Sequence, residues 1–302
     1  MNRKPLLITL VVSFSCALIQ SGRASVAQSA QESTRKLWDT AYISNNKATA
    51  SKRRAARTYR IATPKVPLDD VSPDSVVGVT IWRLRAATAR DTGERIIVHD
   101  DTSTQELLPE RISPETKLGQ GDKLRISVEG ARDGFLYVID REQYADGSVG
   151  PPYLIFPTTR TLNGDNKVSL GMLTEIPAQV DSPPYFTVRK SRTDHVAEVL
   201  SVLVTSKPLD GITVTDKAQQ LNNDQVAAWE KQWSSGVGFL EMDQSTAQSW
   251  TKEERDAAGT RALTPTGPVP QLLFYRTAAK RNDPMFVKLQ LWYRATPKKT
   301  NH

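Results

Sequence analysis

From residue 76 onward the chain carries short apolar runs typical of β-strands, separated by turn-forming residues. In "DKLRISVEG", Leu124, Ile126 and Val128 alternate with charged and polar residues, which predicts a strand with one buried and one solvated face. The runs "FLYVID" and "AEVLSVLVTSKPL" are apolar at successive positions, which predicts strands covered on both faces. Because no helix-period segment separates these runs, the pattern predicts an antiparallel β-sandwich over residues 76–212.

Residues 213–270 break this pattern and predict a short helical excursion with a proline-rich linker. In "NNDQVAAWEKQW", asparagine caps precede Val226, Trp229 and Trp233 at helical spacing. This spacing favours a helix that docks on a core. The alternative is a tryptophan pair that stacks on a ligand.

A second helix is predicted over "TKEERDAAG". Thr251 and Glu254 form a capping box at its start, and Gly259 is a stop signal. The adjacent Glu253 and Glu254 are expected on an exposed face, where they would favour the positive end of the helix dipole.

Residues 271–302 contain two further strand patterns, "QLLFYRTA" and "MFVKLQLWYRA", joined by the turn "AKRNDP". They predict a C-terminal β-hairpin. A lone hairpin is marginally stable in water, so we expect it to return to the sandwich. The second run places four residues on one face: Val287, Leu289, Leu291 and Tyr293.

The first 27 residues have the pattern of a secretory signal peptide. A short basic head precedes the apolar run "LLITLVVSFSCALI", and small residues in "SVA" mark a cleavage site after Ala27. The alternative is an uncleaved anchor, although spans usually need about 20 apolar residues. The single cysteine, Cys16, lies in this segment. The sequence therefore predicts a bacterial protein exported to the periplasm or beyond, with no disulfide and no transmembrane domain after cleavage.

Residues 28–75 are predicted to form a disordered basic linker that contributes much of the net charge of +7. An anionic envelope surface is a candidate partner for this linker, whereas nucleic acid is not expected for an exported chain. The alternative is a solvated tail without a partner. The densest basic positions are Lys52, Arg53, Arg54, Arg57 and Arg60.

An ordered series of short motifs runs through the centre of the chain. It begins with a buried "FLYVI" strand at residues 135–139 and reaches "LIFP" at residues 154–157. An "N-x-V" element and an "IP" follow, and a strand then ends in "SKPL" at residues 206–209. Over about residues 118–209 the chain resembles the bacterial family called domain of unknown function 4384. The resemblance implies an immunoglobulin-like β-sandwich, and it carries over no catalytic residue.

The stretch "DREQYADGSVGPPYLIFP" is rich in acids, glycines and aromatics. Asp146-Gly147 marks a tight turn, which favours an architectural role. A calcium site formed by Asp140, Glu142, Asp146 and Asp165 is disfavoured because these acids lack EF-hand spacing, and we predict no metal or cofactor. If the stretch binds a partner, the candidate residues are Asp140, Tyr144, Asp146, Tyr153 and Phe156.

Catalytic motifs are poorly represented in the sequence. There is no G-x-S-x-G element and no cysteine nucleophile after residue 27. His99 and His195 lie beside acids at predicted strand edges, where we expect solvated side chains. The sequence therefore predicts a module without catalysis that contacts an unknown protein or the envelope surface. The alternative is an envelope hydrolase with a site around residues 140–157 and His195.

Overall fold

The computed structural model describes residues 71–99, 103–130, 132–241, 247–263, 269–277, 279–280 and 282–295. The predicted signal peptide lies outside the described residues, and so do the basic positions Lys52, Arg53, Arg54, Arg57 and Arg60. The first strand begins at Val71, five residues before the predicted start at residue 76.

Strands predominate in the described residues, which form fourteen β-strands and two α-helices. The elements are β1 (Val71–Ala86), β2 (Ile96–His99), β3 (Thr104–Arg111), β4 (Lys123–Gly130), β5 (Gly134–Tyr144), β6 (Tyr153–Phe156), β7 (Lys167–Val168), β8 (Met172–Ile176), β9 (Phe186–Thr187), β10 (His195–Thr205), β11 (Gln219–Gln220), α1 (Asn223–Trp233), β12 (Val237–Glu241), α2 (Lys252–Thr260), β13 (Leu272–Thr277) and β14 (Met285–Trp292).

The strands form two antiparallel sheets. The first sheet has the order β12-β13-β1-β3-β2, while β4 pairs with the other side of β1 and carries β8 and β9. The second sheet has the order β11-β6-β5-β10-β14, with β7 on β5. This arrangement confirms the predicted mainly-β, antiparallel sandwich.

Apolar side chains from the two sheets meet in one continuous core. β1 contributes Val79 and Ile81, and the second sheet contributes Val138, Val202 and Val287. Branched apolar residues suit such positions because they pack well on a pleated surface. The core also contains the four residues predicted to share a face of β14: Val287, Leu289, Leu291 and Tyr293.

Helix α1 covers the outer face of the second sheet. Asn222 caps the helix, since its side chain accepts hydrogen bonds from the backbone N–H groups of Asp224 and Gln225. Trp229 and Trp233 stack with ring centroids 5.9 Å apart. Both pack on apolar residues of the outer sheet face and of the segment leading into the helix, which confirms the predicted docking. These residues are Tyr137, Ile139, Leu154, Leu203, Leu221 and Phe286.

The polar face of β4 differs from the prediction. Arg125, Ser127 and Glu129 were expected in solvent, but all three are buried. Arg125 forms an ion pair with Glu175 of β8, and Ser127 accepts a hydrogen bond from the Trp82 indole at 2.8 Å. β4 is therefore buried on both faces. An alternating sequence pattern reveals one buried face but not that the other face is buried too.

Helix α2 supplies a charged residue to this buried outer face. Glu254 accepts from the Thr251 backbone N–H and so completes the predicted capping box. Its other carboxylate oxygen pairs with Arg111 at 2.6 Å. Glu254 was predicted on an exposed face. This prediction is wrong because the first turn of α2 faces the sheet. The helix also extends past Gly259 to Thr260, and Arg261 takes the left-handed conformation that ends it.

The predicted C-terminal hairpin is wrong in its pairing. β13 joins the first sheet between β1 and β12, whereas β14 pairs with β10 in the second sheet. Both strands have an apolar inner face, and Phe274 and Val287 lie in the same inter-sheet core. The chain therefore crosses from the first sheet to the second between β13 and β14, so that both strands place apolar residues in the core. The excursion also contains β12, which the sequence pattern did not predict.

A buried glutamine fills the junction where β1 changes partner. β1 pairs with β13 up to Val79 and with β3 from Trp82. Between them, the Ile81 N–H donates to Gln271 Oε1 at 3.1 Å, and Gln271 Nε2 donates to the Ile112 carbonyl at 2.7 Å. The side chain thus replaces the missing ladder bonds, as buried backbone groups require.

We predict that Gln271→Ala destabilises the protein strongly. The substitution leaves the Ile81 N–H and the Ile112 carbonyl without their partner, and each buried unsatisfied group costs about 1–3 kcal/mol. Chemical denaturation should show this loss, whereas Gln232→Ala, an exposed substitution on α1, should change stability little. Equal stability of the two variants would contradict the role given to Gln271.

We also predict that Glu129 makes the fold less stable as pH rises. Burial raises the pKa of Glu129 from 4.5 to about 8, so the folded state holds a proton that the unfolded chain has already lost. Stability therefore falls as pH rises from about 4.5 through about 8. Glu129→Gln should flatten this part of the melting temperature–pH curve. An unchanged curve would contradict the assignment.

Candidate functional site

The acid- and aromatic-rich stretch over residues 140–157 is a β-hairpin made by β5 and β6. The Tyr144 N–H donates to the Ser148 carbonyl at 2.9 Å, and Gly147 has a φ of +86°. Asp146 Oδ1 accepts from the Ser148 N–H at 2.9 Å and from the Ser148 hydroxyl at 2.6 Å. The turn therefore matches the predicted Asp-Gly bend.

The five predicted binding residues have different environments. Phe156 is fully buried in the inter-sheet core, so it is not available to a partner. Tyr153 is 39% exposed, and Asp146 lies in solvent at the hairpin tip. Asp140 and Tyr144 are half-buried on β5. Only these last two residues are brought together with other ionisable groups.

Three carboxyl groups lie on the inner face of the second sheet, at one end of the sandwich. Asp140 and Glu142 continue the row of Leu136 and Val138 along β5, since alternate residues share a face. Glu198 of β10 lies directly opposite Glu142. We call these residues the acidic cluster: Asp140, Glu142 and Glu198.

Hydroxyl groups donate to two members of the acidic cluster. The Tyr144 hydroxyl donates to Glu142 Oε2 at 2.8 Å, and the Ser191 hydroxyl donates to the same oxygen at 2.6 Å. The Tyr293 hydroxyl of the segment after β14 donates to Glu198 Oε1 at 2.5 Å. Each of these hydroxyls is therefore already committed to a carboxylate.

His195 lies between two of these carboxylates and is fully buried. Its Nδ1 is 3.8 Å from Glu142 Oε1, and its Nε2 is 3.5 Å from Glu198 Oε1. Nε2 also lies 3.0 Å from the Ala197 carbonyl oxygen, to which it donates when it carries the proton. The expected solvated histidine at a strand edge is therefore wrong for His195. His99, by contrast, is exposed and lies 3.0 Å from the Thr104 hydroxyl.

The serine, histidine and glutamates of this region do not have the connections of a catalytic triad. In a triad the nucleophile's hydroxyl is hydrogen-bonded to the imidazole, whereas the Ser191 hydroxyl is bonded to Glu142. Ser191 meets the His195 ring only through its backbone N–H, at 3.4 Å. A substrate would also have to reach a ring that has no exposed surface.

Two carboxyls of the acidic cluster have strongly raised pKa values. Burial is the main cause for both. The Glu142 charge adds to the rise at Asp140, and the Asp140 and Glu142 charges add to it at Glu198. The pKa of Asp140 is raised to about 7, and that of Glu198 to about 9. Burial and the neighbouring Glu198 also raise the pKa of Tyr293 above its ordinary value.

The nearest cations stack on aromatic rings rather than pairing with the acidic cluster. The Arg192 guanidinium lies 4.1 Å from the centroid of Tyr144, and it forms an ion pair with Asp194. The Lys190 ammonium lies 5.2 Å from the centroid of Tyr293. Among the described residues, neither Lys190 nor Arg192 forms an ion pair with a member of the acidic cluster.

The proposed calcium ligands are not assembled. Asp146 bonds to its own turn, and Asp165 pairs with Arg261 at 3.1 Å. Within the described part of the chain, no group of three or more histidine or acidic side chains is arranged to hold a metal ion.

A surface depression of about 300 Å³ lies beside the end of β1. It is lined by Arg83, Arg85 and Lys123, but these cations are largely engaged. Arg85 pairs with Asp91 through two hydrogen bonds of 2.7 and 2.9 Å. Lys123 donates to the Gln105 side chain at 3.0 Å. Asp122 also lines the depression, so its lining is not uniformly positive.

Comparison with protein-family models, curated proteins and solved structures finds no match to this chain. The resemblance to domain of unknown function 4384 over residues 118–209 therefore stays a prediction. Neither helix of the described residues has the length and apolar character needed to cross a membrane.

Glu198, Ser191 and Tyr293 belong to this region but were not predicted as site residues. Glu198 had a signal, because it interrupts the otherwise apolar run "AEVLSVLVTS", and a lone acid in such a run is often buried with a partner. Ser191 and Tyr293 gave no such signal, since only the pairing of β10 with β5 and β14 brings them close.

Proposed function

We propose that this protein is an exported bacterial β-sandwich module that acts by contacting a protein partner and performs no catalysis. The single observation that carries the proposal is the environment of His195. The imidazole is fully buried beside two glutamates, and the neighbouring Ser191 hydroxyl is bonded to Glu142. These groups are bonded to one another and to the backbone, and the imidazole has no exposed surface.

The exposed hairpin of β5 and β6 supports a binding role. Val149 beside the turn and Tyr153 at the start of β6 are 45% and 39% exposed, and the Arg192 guanidinium lies over the Tyr144 ring. Tyrosine and arginine are enriched in protein–protein interfaces. We call this set the hairpin surface: Tyr144, Val149, Tyr153 and Arg192.

We predict that Tyr153→Ala combined with Arg192→Ala weakens partner binding by at least about tenfold, since interface anchors contribute 1.4 kcal/mol or more. The partner is first recovered from bacterial envelope fractions with the wild-type chain as bait. Its affinity is then measured with purified components. Phe186→Ala, which removes another exposed aromatic side chain, is the matched control and should bind normally.

The melting temperature of each variant separates lost contact from lost folding. Because Tyr153 and Arg192 are surface residues, the melting temperature of the double variant should stay close to the wild-type value. Unchanged affinity in the double variant would remove the hairpin surface from the proposal. Failure to recover any partner with the wild-type bait would count against the binding role itself.

An envelope hydrolase is the second candidate function, because Ser191, His195 and Glu142 lie in one cluster. It requires a rearrangement that exposes His195 and frees the Ser191 hydroxyl. We predict no turnover of ester, amide or glycoside substrates by the wild-type chain. Turnover that is abolished by Ser191→Ala, with folding intact, would replace the binding proposal with this one.

A third possibility is that residues 28–75 tether the module to an anionic envelope surface. It rests on the basic positions in that segment, which lie before residues 71–75, the part of the segment that belongs to β1.

A further inference from the structure

The acidic cluster places more negative charge at the end of the sandwich than its surroundings can neutralise. Glu142 accepts from two hydroxyls, and Glu198 accepts from one. Hydroxyl groups stabilise a carboxylate but do not cancel its charge. Asp140 and Glu198 are diagonal neighbours on one face of paired strands, since Glu198 lies opposite Glu142 and Asp140 lies opposite Leu200. Side chains at such positions are within reach of each other, and two negative charges held there repel strongly.

Each of these two carboxyls has an oxygen that is buried and unsatisfied. Asp140 Oδ1 and Glu198 Oε2 have no hydrogen-bond partner among the described residues. Glu198 is 18% exposed as a side chain, so its exposed part is not this inner oxygen. Buried polar atoms are rarely left without partners. One proton held between the two carboxyls would satisfy both oxygens and remove one charge.

The groups facing this pair from the neighbouring elements cannot take the place of that proton. β5 contributes Glu142 and Tyr144, β10 contributes His195, and the segment after β14 contributes Tyr293. The turn before β10 contributes Lys190, Arg192 and Asp194. The Lys190 and Arg192 cations lie over aromatic rings, and Arg192 also pairs with Asp194. His195 Nε2 is engaged by the Ala197 carbonyl.

We propose that Asp140 and Glu198 share one proton in a carboxylic acid–carboxylate hydrogen bond that closes this end of the sandwich, so that loss of the proton loosens it. The hydrogen bond joins β5 to β10 on the inner face, between the last apolar core residues and the turn carrying Ser191. After its loss, three adjacent carboxylates repel one another. The proposal does not depend on the function of the module.

The direction of the pH effect follows from the folded state holding a proton that the unfolded chain releases. Burial and neighbouring negative charge raise the pKa of both carboxyls above the ordinary values of 3.8 and 4.5, to about 7 for Asp140 and about 9 for Glu198, and the two groups titrate as a pair. The stabilisation is therefore complete at pH values below the pKa values of the unfolded chain. It is lost as pH rises through the pKa values of the folded state.

The first experiment compares melting temperatures of the wild-type chain and Glu198→Gln between about pH 5 and about pH 10. The glutamine amide can donate to Asp140 without being titrated. We expect the wild type to lose at least about 3 °C more than the variant over this range, given the size of the chain. Glu115→Gln, a substitution of an exposed acid, should follow the wild type.

A second measurement on the wild-type chain keeps the proposal testable if Glu198→Gln does not fold. With ¹³C-labelled aspartate carboxyls, one signal should titrate near neutral pH, and Asp140→Asn should remove that signal. Labelled aspartate avoids interference from the buried Glu129. Parallel melting curves for the wild type and a folded Glu198→Gln, or the absence of any aspartate titrating above about pH 5, would overturn the proposal.

Discussion

The double pairing of β1 is the constraint on which the rest of the structure depends. On one side β1 pairs with β13 and then with β3, and on the other it pairs with β4 from Val77 to Leu84. Its Val79 and Ile81 enter the core against the second sheet. Gln271 makes the change of partner possible, because its amide satisfies backbone groups that neither neighbouring strand reaches.

The local elements were largely predictable from the sequence, whereas their partners were not. The alternation of apolar and polar residues predicted the inner face of β4, and capping residues predicted α1 and the start of α2. Each of these signals lies within a few residues of the chain. The separation of β13 from β14 depends on a core shared by distant segments. A hairpin and a crossing between sheets present the same local pattern, so no periodicity distinguishes them.

The polar interior explains why the candidate site was only partly predicted. Arg125 and Glu129 alternate with apolar residues as solvated side chains would, yet both are buried, Arg125 in an ion pair with Glu175 of β8. Asp140 and Tyr144 were predicted as candidate binding residues, with Asp140 at the end of a predicted strand. Both lie on β5, and the pairing of β10 with β5 brings Glu198 to the same face from a position more than fifty residues away in the chain.

The separation of β13 and β14 limits how the chain can be divided. A fragment covering residues 118–209 would keep β4 to β10 but lose the strand that organises the first sheet and the edge strand of the second. Core residues such as Ile81, Phe274 and Val287 would be missing from it, leaving the remaining apolar faces open to water and to aggregation. The strands of the two sheets extend from Val71 to Trp292, and recombinant boundaries or domain grafts should respect that span.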